Sequence, residues 1–396
     1  MPRRRTPLAW KNLTHDPRRL AVACAGIGFA VLLMFVQVGF ENALFVSQVR
    51  LINDLEGDIF ITSQARFALA AEKRFPRALL YQAEAVEGVA AAAPLYAEWT
   101  TSVLKNLSPG KSAKGYRIRT FGYRLDQPVF KSPRVQEQAG RLRSLQTALI
   151  DARSKAPNFD FPVGDPERLR AAPAELAGQR VSLVGAFKLG ADFVHDGNLV
   201  MSAASLARYF PYRNRRGDPL AAVDIGVVRI APGERPADVR DRIAAKLGGN
   251  VWVHTRRDLR RREMRFWRQS TPIGVVFWAG KVIGFVVGVV ICYQVIFSGI
   301  SDHMPEFATL KAMGYNNAYF TRLIVTEALW LSAMGFVPGA LVSWALYAWL
   351  GGQTGLQMDM TPDVLLLVLG STIAMCVVSG LLAVRKLLTA DPASLF

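Results

Sequence analysis

Cysteine and histidine are both scarce in this chain. Three cysteines and four histidines occur among its 396 residues. Each cysteine (Cys24, Cys292 and Cys376) lies inside a long apolar run, so the polar region between the first two of those runs has none. That region must therefore fold without disulfide bonds, which is compatible with an oxidising compartment but does not require one. The histidines are scattered, and neither an HExxH pattern nor a nucleophile elbow is present, which argues against those classes of hydrolase.

Charged residues are absent from four runs, although the chain as a whole is strongly basic, with 48 Lys and Arg against 31 Asp and Glu. A helix needs about 20 apolar residues to cross a ~30 Å hydrocarbon core. Each run is close to that length, so the sequence predicts four transmembrane helices rather than the two or three soluble domains that its length alone would favour. The uncharged runs are Leu20–Phe40, Val282–Ile300, Ala328–Leu350 and Val364–Val384.

The first run could instead be the apolar part of a secretory signal peptide, because a basic segment precedes it. However, it is longer than such a segment usually is, and it lacks a clear small-x-small cleavage site. We therefore interpret it as the first transmembrane helix and keep a cleaved signal peptide as the alternative.

Basic residues around the first run predict the orientation of the chain. Six Lys and Arg precede the run, whereas only Arg50 lies in the twenty residues after it. The positive-inside rule then places the N-terminus in the cytoplasm, and four crossings bring the C-terminus to the same side. The arginine-rich segment 256–268 before the second run opposes this orientation, so the inverted topology remains an alternative.

This topology divides the chain into alternating aqueous and membrane segments. The basic surplus of the large exported region does not exclude it, because long regions are translocated largely regardless of their charge. The predicted segments are a cytoplasmic N-terminal segment (1–19), the first transmembrane helix (20–40), an exported α+β domain with a stalk (41–270), the second helix (271–300), a short cytoplasmic helix and turn (301–320), the third helix (321–350), an exported loop (351–361), the fourth helix (362–388) and a cytoplasmic tail (389–396).

Short runs rich in β-branched residues alternate with helical patterns in the exported region, which predicts an α+β domain. Ser202 is a candidate helix N-cap. Val239, Ile243 and Leu247 repeat every four residues and predict a helix closed by the glycine pair that follows. Residues 126–178 are polar with little strand character, which predicts an inserted subdomain. The predicted strands are 57–63, 117–123, 180–187, 197–202 and 223–230.

Two stretches resemble a phosphate-binding loop and a metal site, but each lacks residues that such a site requires. The stretch KNLSPGKS ends like a phosphate-binding loop, but Lys105 stands where the loop needs glycine, and Pro109 removes an amide donor. The sequence therefore predicts a surface turn there and no ATP site on this chain. In DFVHDG, Asp192, His195 and Asp196 could ligate a metal, yet no further ligand spacing supports this, and a polar turn is favoured.

Two charged residues border or interrupt the apolar runs. Lys281 directly precedes the second run, where its long side chain can extend to the membrane interface. The second helix would then continue outward as one long helix through the arginine-rich segment. Glu327 lies a few residues inside the third predicted helix and near the opposite face, so we do not pair the two. Interfacial positions are favoured for both, and a proton relay is the alternative.

The arginine-rich segment contains a basic helix face. Arg257, Arg261 and Arg268 share this face at spacings of four and seven residues. We expect it to contact lipid phosphates or an acidic surface of an adaptor protein, and an ordinary solvated helix is the alternative. Nucleic acid, which a basic surplus can indicate, is not an expected partner of a domain outside the membrane.

The stretch SDHMPEFATLKAMGY between the second and third runs has the pattern of one short helix. Ser301 or Asp302 can cap it, Pro305 and Glu306 suit its first turn, and Gly314 is a stop signal. Its large apolar residues recur every three positions and predict one apolar face. That face either contacts a soluble protein or rests on lipid headgroups. These apolar residues are Met304, Phe307, Leu310 and Met313.

Four stretches resemble the FtsX/MacB-type permeases of ABC exporters, most closely their DevC branch. The longest and most specific is RREMRFWRQSTPIGVVFWAGKVIGFVVGVVICYQVIFSGISDHMPEFATLKAMGY, residues 261–315. The other three are LAWKNLTHDPRRLAVACAGIGFAVLL near the N-terminus, FKLGADFVHDGNLVMS at 187–202 and RKLLTADPASLF at the end. Together they extend over essentially the full chain.

The resemblance implies an integral membrane α-helical protein of the type VII ABC transporter fold, with four transmembrane helices and a large α+β periplasmic domain between helices 1 and 2. It implies a non-catalytic subunit of the inner membrane with both termini in the cytoplasm. No cofactor is expected on this chain, because ATP would be bound by a separate ABC ATPase subunit. The other implied partners are a periplasmic adaptor (membrane fusion) protein, an outer-membrane channel, membrane lipids and a second copy of the chain as a homodimer.

The implied function is that of the permease subunit of a tripartite ABC exporter. It would couple ATP hydrolysis by its partner to a periplasmic conformational change and to export of a lipid, glycolipid or other envelope substrate. An FtsX-like signalling scaffold that activates a periplasmic partner is the alternative, since a fold does not by itself specify a function. The residues that the resemblance places against the ATPase are Met304, Glu306, Phe307, Leu310, Lys311, Met313 and Gly314.

Overall fold

The chain divides into a helical unit and an α/β unit. The helical unit comprises Met1–Asn42, Ile273–Trp349 and Met358–Phe396, and the α/β unit comprises Ala43–Pro272 and Leu350–Gln357. The computed structural model describes residues 16–110, 114–192, 194–213, 217–302, 304–354 and 358–389. The predicted N-terminal segment 1–19 and tail 389–396 therefore lie mostly outside the described residues.

The helices range from single turns to membrane-spanning lengths. They are α1 (Pro17–Asp54), α2 (Arg77–Glu84), α3 (Pro133–Glu137), α4 (Ala156–Phe159), α5 (Pro166–Ala171), α6 (Ala203–Tyr209), α7 (Pro236–Leu247), α8 (Arg256–Gln269), α9 (Pro272–Asp302), α10 (Met304–Ala312), α11 (Asn317–Thr354) and α12 (Pro362–Thr389). Short 3-10 helices lie at Ala139–Arg143, Pro211–Arg213 and Gly248–Asn250.

The strands all belong to the α/β unit. They are β1 (Ile59–Ser63), β2 (Phe75–Pro76), β3 (Val89–Glu98), β4 (Val103–Asn106), β5 (Tyr116–Arg117), β6 (Arg119–Tyr123), β7 (Thr147–Asp151), β8 (Ala174–Leu176), β9 (Gln179–Phe187), β10 (Asn198–Ser202), β11 (Ala222–Val223), β12 (Ile225–Ile230) and β13 (Val251–Thr255).

An 11-stranded sheet with the order β13-β1-β12-β3-β6-β10-β7-β9-β8-β4-β5 forms the centre of this unit, and β2 pairs separately with β11. The β6–β10 and β7–β9 pairs are parallel. Both faces of the sheet are covered: Ile59 and Ile61 belong to one buried apolar cluster, and Phe60 between them belongs to another. Because successive side chains point to opposite faces, a strand covered on both sides has a continuous apolar sequence.

The predicted strands are confirmed by β1, β6, β9, β10 and β12. The prediction of an inserted subdomain at 126–178 is wrong, because β7 lies inside the sheet between β10 and β9. All five residues of β7 are buried, so this short strand shows no polar alternation and lies between polar flanks. The longer strand β3 escapes prediction because VAAAAPLYAE is rich in alanine, which is depleted in strands.

Two helix signals read from the sequence are confirmed. The Ser202 hydroxyl accepts a hydrogen bond from the Ser205 amide at 3.2 Å and so caps α6. Helix α7 ends at Gly248, which has a φ of 65°. Glycine adopts a positive φ at little cost in free energy. The buried residues of α7 are those of the predicted stripe, Val239, Ile243 and Leu247.

Four described helices, α1, α9, α11 and α12, are long and apolar enough to cross a membrane. This confirms the predicted number of transmembrane helices. Helix α1 continues beyond the predicted boundary at residue 40, because it runs for 38 residues and ends at Asp54. At about 1.5 Å per residue it is roughly 57 Å long, well over the ~30 Å of a hydrocarbon core. Part of α1 must therefore extend out of the membrane.

The arginine-rich segment and the second membrane helix are two helices rather than one. Helix α8 ends at Gln269, and α9 begins at Pro272. A proline has no amide hydrogen and disfavours the helical conformation at the residue before it, which explains the break. The expectation of one continuous helix through the arginine run is therefore wrong.

Glycine contacts pack α1 closely against α11 in the helical unit. A Cβ atom at Gly28 would lie 3.4 Å from the carbonyl oxygen of Gly335. A Cβ atom at Gly339 would lie 2.8 Å from the carbonyl oxygen of Gly28. The absence of side chains at these positions lets the two backbones approach, as small residues commonly do between membrane helices.

A stripe of five residues, spaced four apart along α9, is buried in the same unit. One of its members, Cys292, has its Sγ atom 3.5 Å from the Sγ atom of Cys376 in α12, so α9 and α12 are in direct contact. Both cysteines are unbonded thiols. The stripe consists of Gly284, Gly288, Cys292, Ile296 and Ile300.

Replacing Gly339 with leucine should destabilise the helical unit, because the new side chain would meet the Gly28 carbonyl, a backbone group with little freedom to move. Overpacking of this kind costs about 1–3 kcal/mol. The midpoint of thermal unfolding of the full chain in detergent should fall for Gly339→Leu. Gly370→Leu is the matched control, because nothing lies within 4 Å of a Cβ atom at Gly370. Equal losses in both variants would contradict the packing described above.

Candidate functional site

Helix α10 is a short helix between the membrane helices α9 and α11. Pro305 and Glu306 lie in its first turn, where proline needs no amide partner and a carboxylate faces the positive end of the helix dipole. Lys311 lies in its last turn, where a cation is favoured. His303, between α9 and α10, is outside the described residues.

The end of α10 is closed by backbone hydrogen bonds around a glycine. The Tyr315 amide donates to the Leu310 carbonyl at 3.2 Å, and the Gly314 amide donates to the Lys311 carbonyl at 3.1 Å. Gly314 has a φ of 91°. This is the Schellman arrangement, which satisfies the last carbonyl groups of a helix and requires the left-handed conformation at the glycine. The Asn316 side chain then accepts a bond from the Tyr319 amide at 3.0 Å and caps α11.

The structure places the residues predicted to contact an ATPase along α10 and its end. Phe307 lies within α10, but its side chain is outside the described residues. Met313 is 63% exposed, which is high for a large apolar side chain. Of the other predicted residues, Glu306, Lys311 and Gly314 are also exposed, and Met304 and Leu310 are half-buried.

The apolar residues of this stretch do not share one narrow face. With 3.6 residues per turn, a step of three residues falls about 60° short of a full turn. Over three such steps, Met304 and Met313 come to opposite sides of a helix. Because α10 ends at Ala312, Met313 also belongs to the closing turn. The apolar surface is therefore broader than the spacing alone suggests.

An ion pair joins α1 to α9 through residues that the sequence did not connect. The Nζ atom of Lys281 lies 2.6 Å from a carboxylate oxygen of Glu41. Nearby, the Gln37 amide donates to the Phe277 carbonyl at 3.3 Å. A signal was present, since Glu41 follows the first apolar run and Lys281 precedes the second, and consecutive antiparallel helices bring such ends together. Glu327, the other charge considered, is half-buried in α11.

One face of α8 is anchored inside the α/β unit. The buried carboxylate of Glu263 accepts hydrogen bonds from the Leu69 amide at 3.0 Å and from the Trp267 indole at 2.9 Å. Burial raises the pKa of Glu263, although these donors oppose the shift. Leu259 and Trp267 are buried on the same face. The rotation of α8 is therefore set by packing and by hydrogen bonds.

Arg262 extends this anchored face. It donates to the Nε2 atom of His254 at 2.8 Å and to the Arg66 carbonyl at 2.9 Å, and it lies 5.5 Å from the ring centre of Trp252. Burial, together with the Arg262 charge, lowers the pKa of His254 to about 4. The imidazole is therefore neutral near pH 7 and can accept the guanidinium hydrogen bond.

The opposite side of α8 carries the predicted arginine face. Arg257 and Arg261 are exposed and line the same cavity. Arg268 lies further along the helix, with its guanidinium carbon 5.4 Å from the ring centre of Phe45, a cation–π distance. The structure thus brings Arg257 and Arg261 together and places Arg268 apart from them.

The stretch DFVHDG takes part in a buried polar network. Asp192 lies 2.9 Å from an Arg119 nitrogen and 3.1 Å from the Nδ1 atom of His195. Burial alone would raise the pKa of Asp192, but the charges and hydrogen bonds of Arg119 and His195 hold it well below its usual range. Asp196 pairs instead with Lys155 at 2.6 Å. Within the described residues, no group of three or more His, Cys, Asp or Glu side chains could hold a metal ion.

The stretch KNLSPGKS begins in β4 and is described only in part, since Lys111–Ala113 lie outside the described residues. Lys105 pairs with Glu175 of β8 at 2.7 Å. Gly110 has a φ of 79°, a conformation typical of turns. The described part begins at the end of β4 and continues into the predicted turn.

Comparison with known proteins gives a family for the C-terminal part of the chain. Residues 280–392 match the family described as FtsX-like permease C-terminal. This range includes α10 and most of the residues of the three membrane helices α9, α11 and α12. No curated protein matches the chain.

Two solved structures are similar to part of the chain. One is the extracellular domain of the noncanonic ABC-type transporter YknZ from Gram-positive bacteria, with 12% identity and a TM-score of 0.33, covering 50% of this chain and 99% of that one. The other is the periplasmic region of MacB from Actinobacillus actinomycetemcomitans, with 9% identity and a TM-score of 0.33, covering 51% and 90%. Similarities this distant carry no argument by themselves.

The family match and the four apolar helices agree on a membrane permease. The matched region holds three of the four membrane helices, and α1 supplies the fourth. Residues 280–392 are therefore similar to the FtsX-like permease family, and the four described apolar helices of the chain are long enough to cross a membrane.

Proposed function

We propose that this chain is the permease subunit of a tripartite ABC exporter and that its separate ATPase binds at α10. One observation carries the proposal. Between two membrane helices, within the region that matches the FtsX-like family, nine residues form a helix with its own glycine stop. A connection between consecutive helices needs only about two to eight residues and no helix of its own. A short helix with a defined end is a suitable element for receiving force from a soluble partner.

The surface of α10 and its closing turn suits a protein partner. Met313 is 63% exposed and Tyr315 is 45% exposed. The charged residues Glu306 and Lys311 of α10 are also exposed. Large apolar and aromatic groups with a charged rim are typical of protein interfaces. A helix that lies on headgroups usually carries several basic residues on its polar face, whereas α10 has Lys311 alone.

Coupling in this proposal is mechanical. Closure of the ATPase around ATP moves α10, and α9 and α1 transmit that movement to the α/β unit outside the membrane. Such coupling needs two discrete arrangements whose balance both sites can shift. The exported substrate would be a lipid, a glycolipid or another envelope molecule, handed to a periplasmic adaptor and an outer-membrane channel. Two copies of the chain would form the membrane part of the complex.

The proposal requires the α/β unit and α10 to lie on opposite sides of the membrane. Six basic residues before the first run and one in the twenty residues after it favour a cytoplasmic N-terminus. The α/β unit is then exported, and α10 faces the cytoplasm with the ATPase.

Cysteine labelling of the full chain in intact membranes should show this topology. Glu137 and Ala318 are both exposed, so Glu137→Cys and Ala318→Cys, each in a cysteine-free background, provide accessible thiols. A membrane-impermeant maleimide added from outside should label position 137 and spare position 318 until the membrane is opened. Labelling of position 318 from outside would show that α10 cannot meet a cytoplasmic ATPase.

Truncating the apolar side chains of α10 should weaken ATPase binding. Interface energy concentrates in a few large buried side chains, and losing one can cost about 2 kcal/mol. We expect Phe307→Ala with Leu310→Ala to lower affinity for the cognate ATPase, and stimulated ATP hydrolysis, by at least about tenfold, since ~1.4 kcal/mol gives that factor. Titration of the ATPase against the permease in nanodiscs measures both.

The charged pair on the same helix provides the comparison. Glu306→Ala with Lys311→Ala removes exposed charges from the rim, where truncation usually costs little. Both double variants should insert into membranes as the parent does, because neither changes a membrane helix. If the apolar double variant binds and stimulates the ATPase normally, α10 is a surface connector and the ATPase binds elsewhere.

A further inference from the structure

A cavity lined by arginines lies in the α/β unit where α7 and α8 begin. Its volume is about 790 Å³, within the range of about 300–1,000 Å³ that is common for small-molecule sites. Among the described residues that line it, Asp58 alone is acidic. The arginines that line it are Arg235, Arg256, Arg257, Arg260 and Arg261. We call this the arginine cavity.

Three of the guanidinium groups are available to a ligand. Arg256 is already engaged, because it donates to the carbonyl oxygens of Ile52 and of Leu55 at 2.6 Å and 2.8 Å. The guanidinium groups of Arg257, Arg260 and Arg261 are exposed. They make no hydrogen bond or ion pair with any other described residue. Three unpaired cations within two turns of one helix repel each other, so a multivalent anion would be favoured between them.

The backbone adds to this positive potential. Pro236 and Ala237 form the first turn of α7, and Arg256 and Arg257 form that of α8, and all four line the cavity. A helix N-terminus carries a partial positive charge that attracts anions, although Pro236 has no amide hydrogen and the Arg256 amide already donates to the Asp58 carbonyl at 3.0 Å. From the α7 side, Arg235 is 83% exposed and 3.9 Å from Asp238, a loose pair that a stronger anion could replace.

The shape and chemistry of the cavity select among anions. An arginine guanidinium matches two oxygens of one phosphate group at once. A concave cavity admits a small anionic group more readily than the flat acidic face of a protein. Pro236, Ala237 and Met264 supply an apolar wall for the carbon part of such a ligand. Only two residues separate α8 from the apolar helix α9 along the chain.

We propose that the arginine cavity binds a phosphate-bearing ligand, through Arg257, Arg260 and Arg261 on α8 and Arg235 at the start of α7. The lipid headgroup phosphate is the source that the apolar wall favours, and a free phosphate is the other source with the same chemistry. Arg268, which packs on Phe45, is not part of this site. The proposal does not depend on the ATPase contact at α10, and its test uses the permease without the ATPase.

The test measures ligand binding by the full chain in neutral detergent. The probes are short-chain phosphatidic acid, inorganic pyrophosphate and short-chain phosphatidylcholine, each followed by native mass spectrometry and by titration. The triple variant Arg257→Gln, Arg260→Gln, Arg261→Gln should weaken binding of phosphatidic acid or pyrophosphate by at least about tenfold, because charged hydrogen bonds to phosphate are lost. Binding by the parent chain should also weaken as salt concentration rises.

Two further variants separate a built site from a general charge effect. The triple variant Arg134→Gln, Arg143→Gln, Arg170→Gln removes the same charge from exposed positions elsewhere in the α/β unit and should bind within about twofold of the parent. Arg260→Lys with Arg261→Lys keeps the charge but loses the guanidinium fork, so it should bind with intermediate affinity. Circular dichroism and size-exclusion chromatography verify that each variant is folded.

The outcomes identify the source or overturn the proposal. If the cavity variant loses binding of phosphatidic acid but not of pyrophosphate, and the control triple loses neither, the ligand is a lipid headgroup. If the cavity variant loses binding of pyrophosphate but not of phosphatidic acid, the ligand is a free phosphate. Equal losses in the cavity variant and in the control triple would overturn the proposal, because charge alone would then explain them. Unchanged binding of both probes in the cavity variant would also overturn it, and the arginines would then be left as a solvated face or as a docking face for an acidic adaptor.

Discussion

The guanidinium of Arg256 binds carbonyl oxygens at the end of α1. The contact between the end of α1 and the start of α8 depends on it. Its nitrogen atoms donate to the carbonyl oxygens of Ile52 at 2.6 Å, of Leu55 at 2.8 Å and of Gly57. The last carbonyl groups of a helix have no partner within it, and a cation is favoured at that end. Because Arg256 is also the first residue of α8, one side chain ties the end of α1 to the start of α8.

This tie gives the proposed coupling a physical path. Helix α1 is itself a membrane helix, and α8 is followed within two residues by the membrane helix α9. On its other side, α8 is locked to the α/β unit by Glu263 and Trp267. A displacement of the end of α1 would therefore act on α8 through these hydrogen bonds. A contact made of several hydrogen bonds resists deformation, so it can transmit movement.

The parts of the fold that could be predicted are those with a strong local signal. Four uncharged runs indicate four membrane helices because a hydrocarbon core admits few other segments. The cap at Ser202 and the stripe of α7 follow from short-range chemistry. Strand β7 could not be recognised, because it is buried on both faces and its neighbours β9 and β10 lie later in the chain. Only the assembled sheet reveals that it is a central strand.

The candidate sites also contain some features with a local sequence signal and others that depend on distant parts of the chain. The bounds of α10 follow from Pro305, Glu306 and Gly314, each of which acts within a single turn. The pairing of Lys281 with Glu41 was not predicted, although both residues border apolar runs, because the two residues are more than two hundred positions apart in the chain. Only part of the arginine cavity could be predicted from the sequence. Spacing on one helix identifies Arg257 and Arg261, but Arg235 comes from another helix, and the position of Arg268 is decided by Phe45.

The central claim is that ATP binding by a cytoplasmic partner changes the α/β unit through the membrane helices. Hydrogen exchange of the full complex in nanodiscs, with and without a non-hydrolysable ATP analogue, tests it most directly. The account predicts that the analogue alters amide protection in two places at once, in α10 with its closing turn and at the junction of α1 with α8. A change in protection confined to the ATPase and α10, with the α1–α8 junction unaltered, would contradict the account.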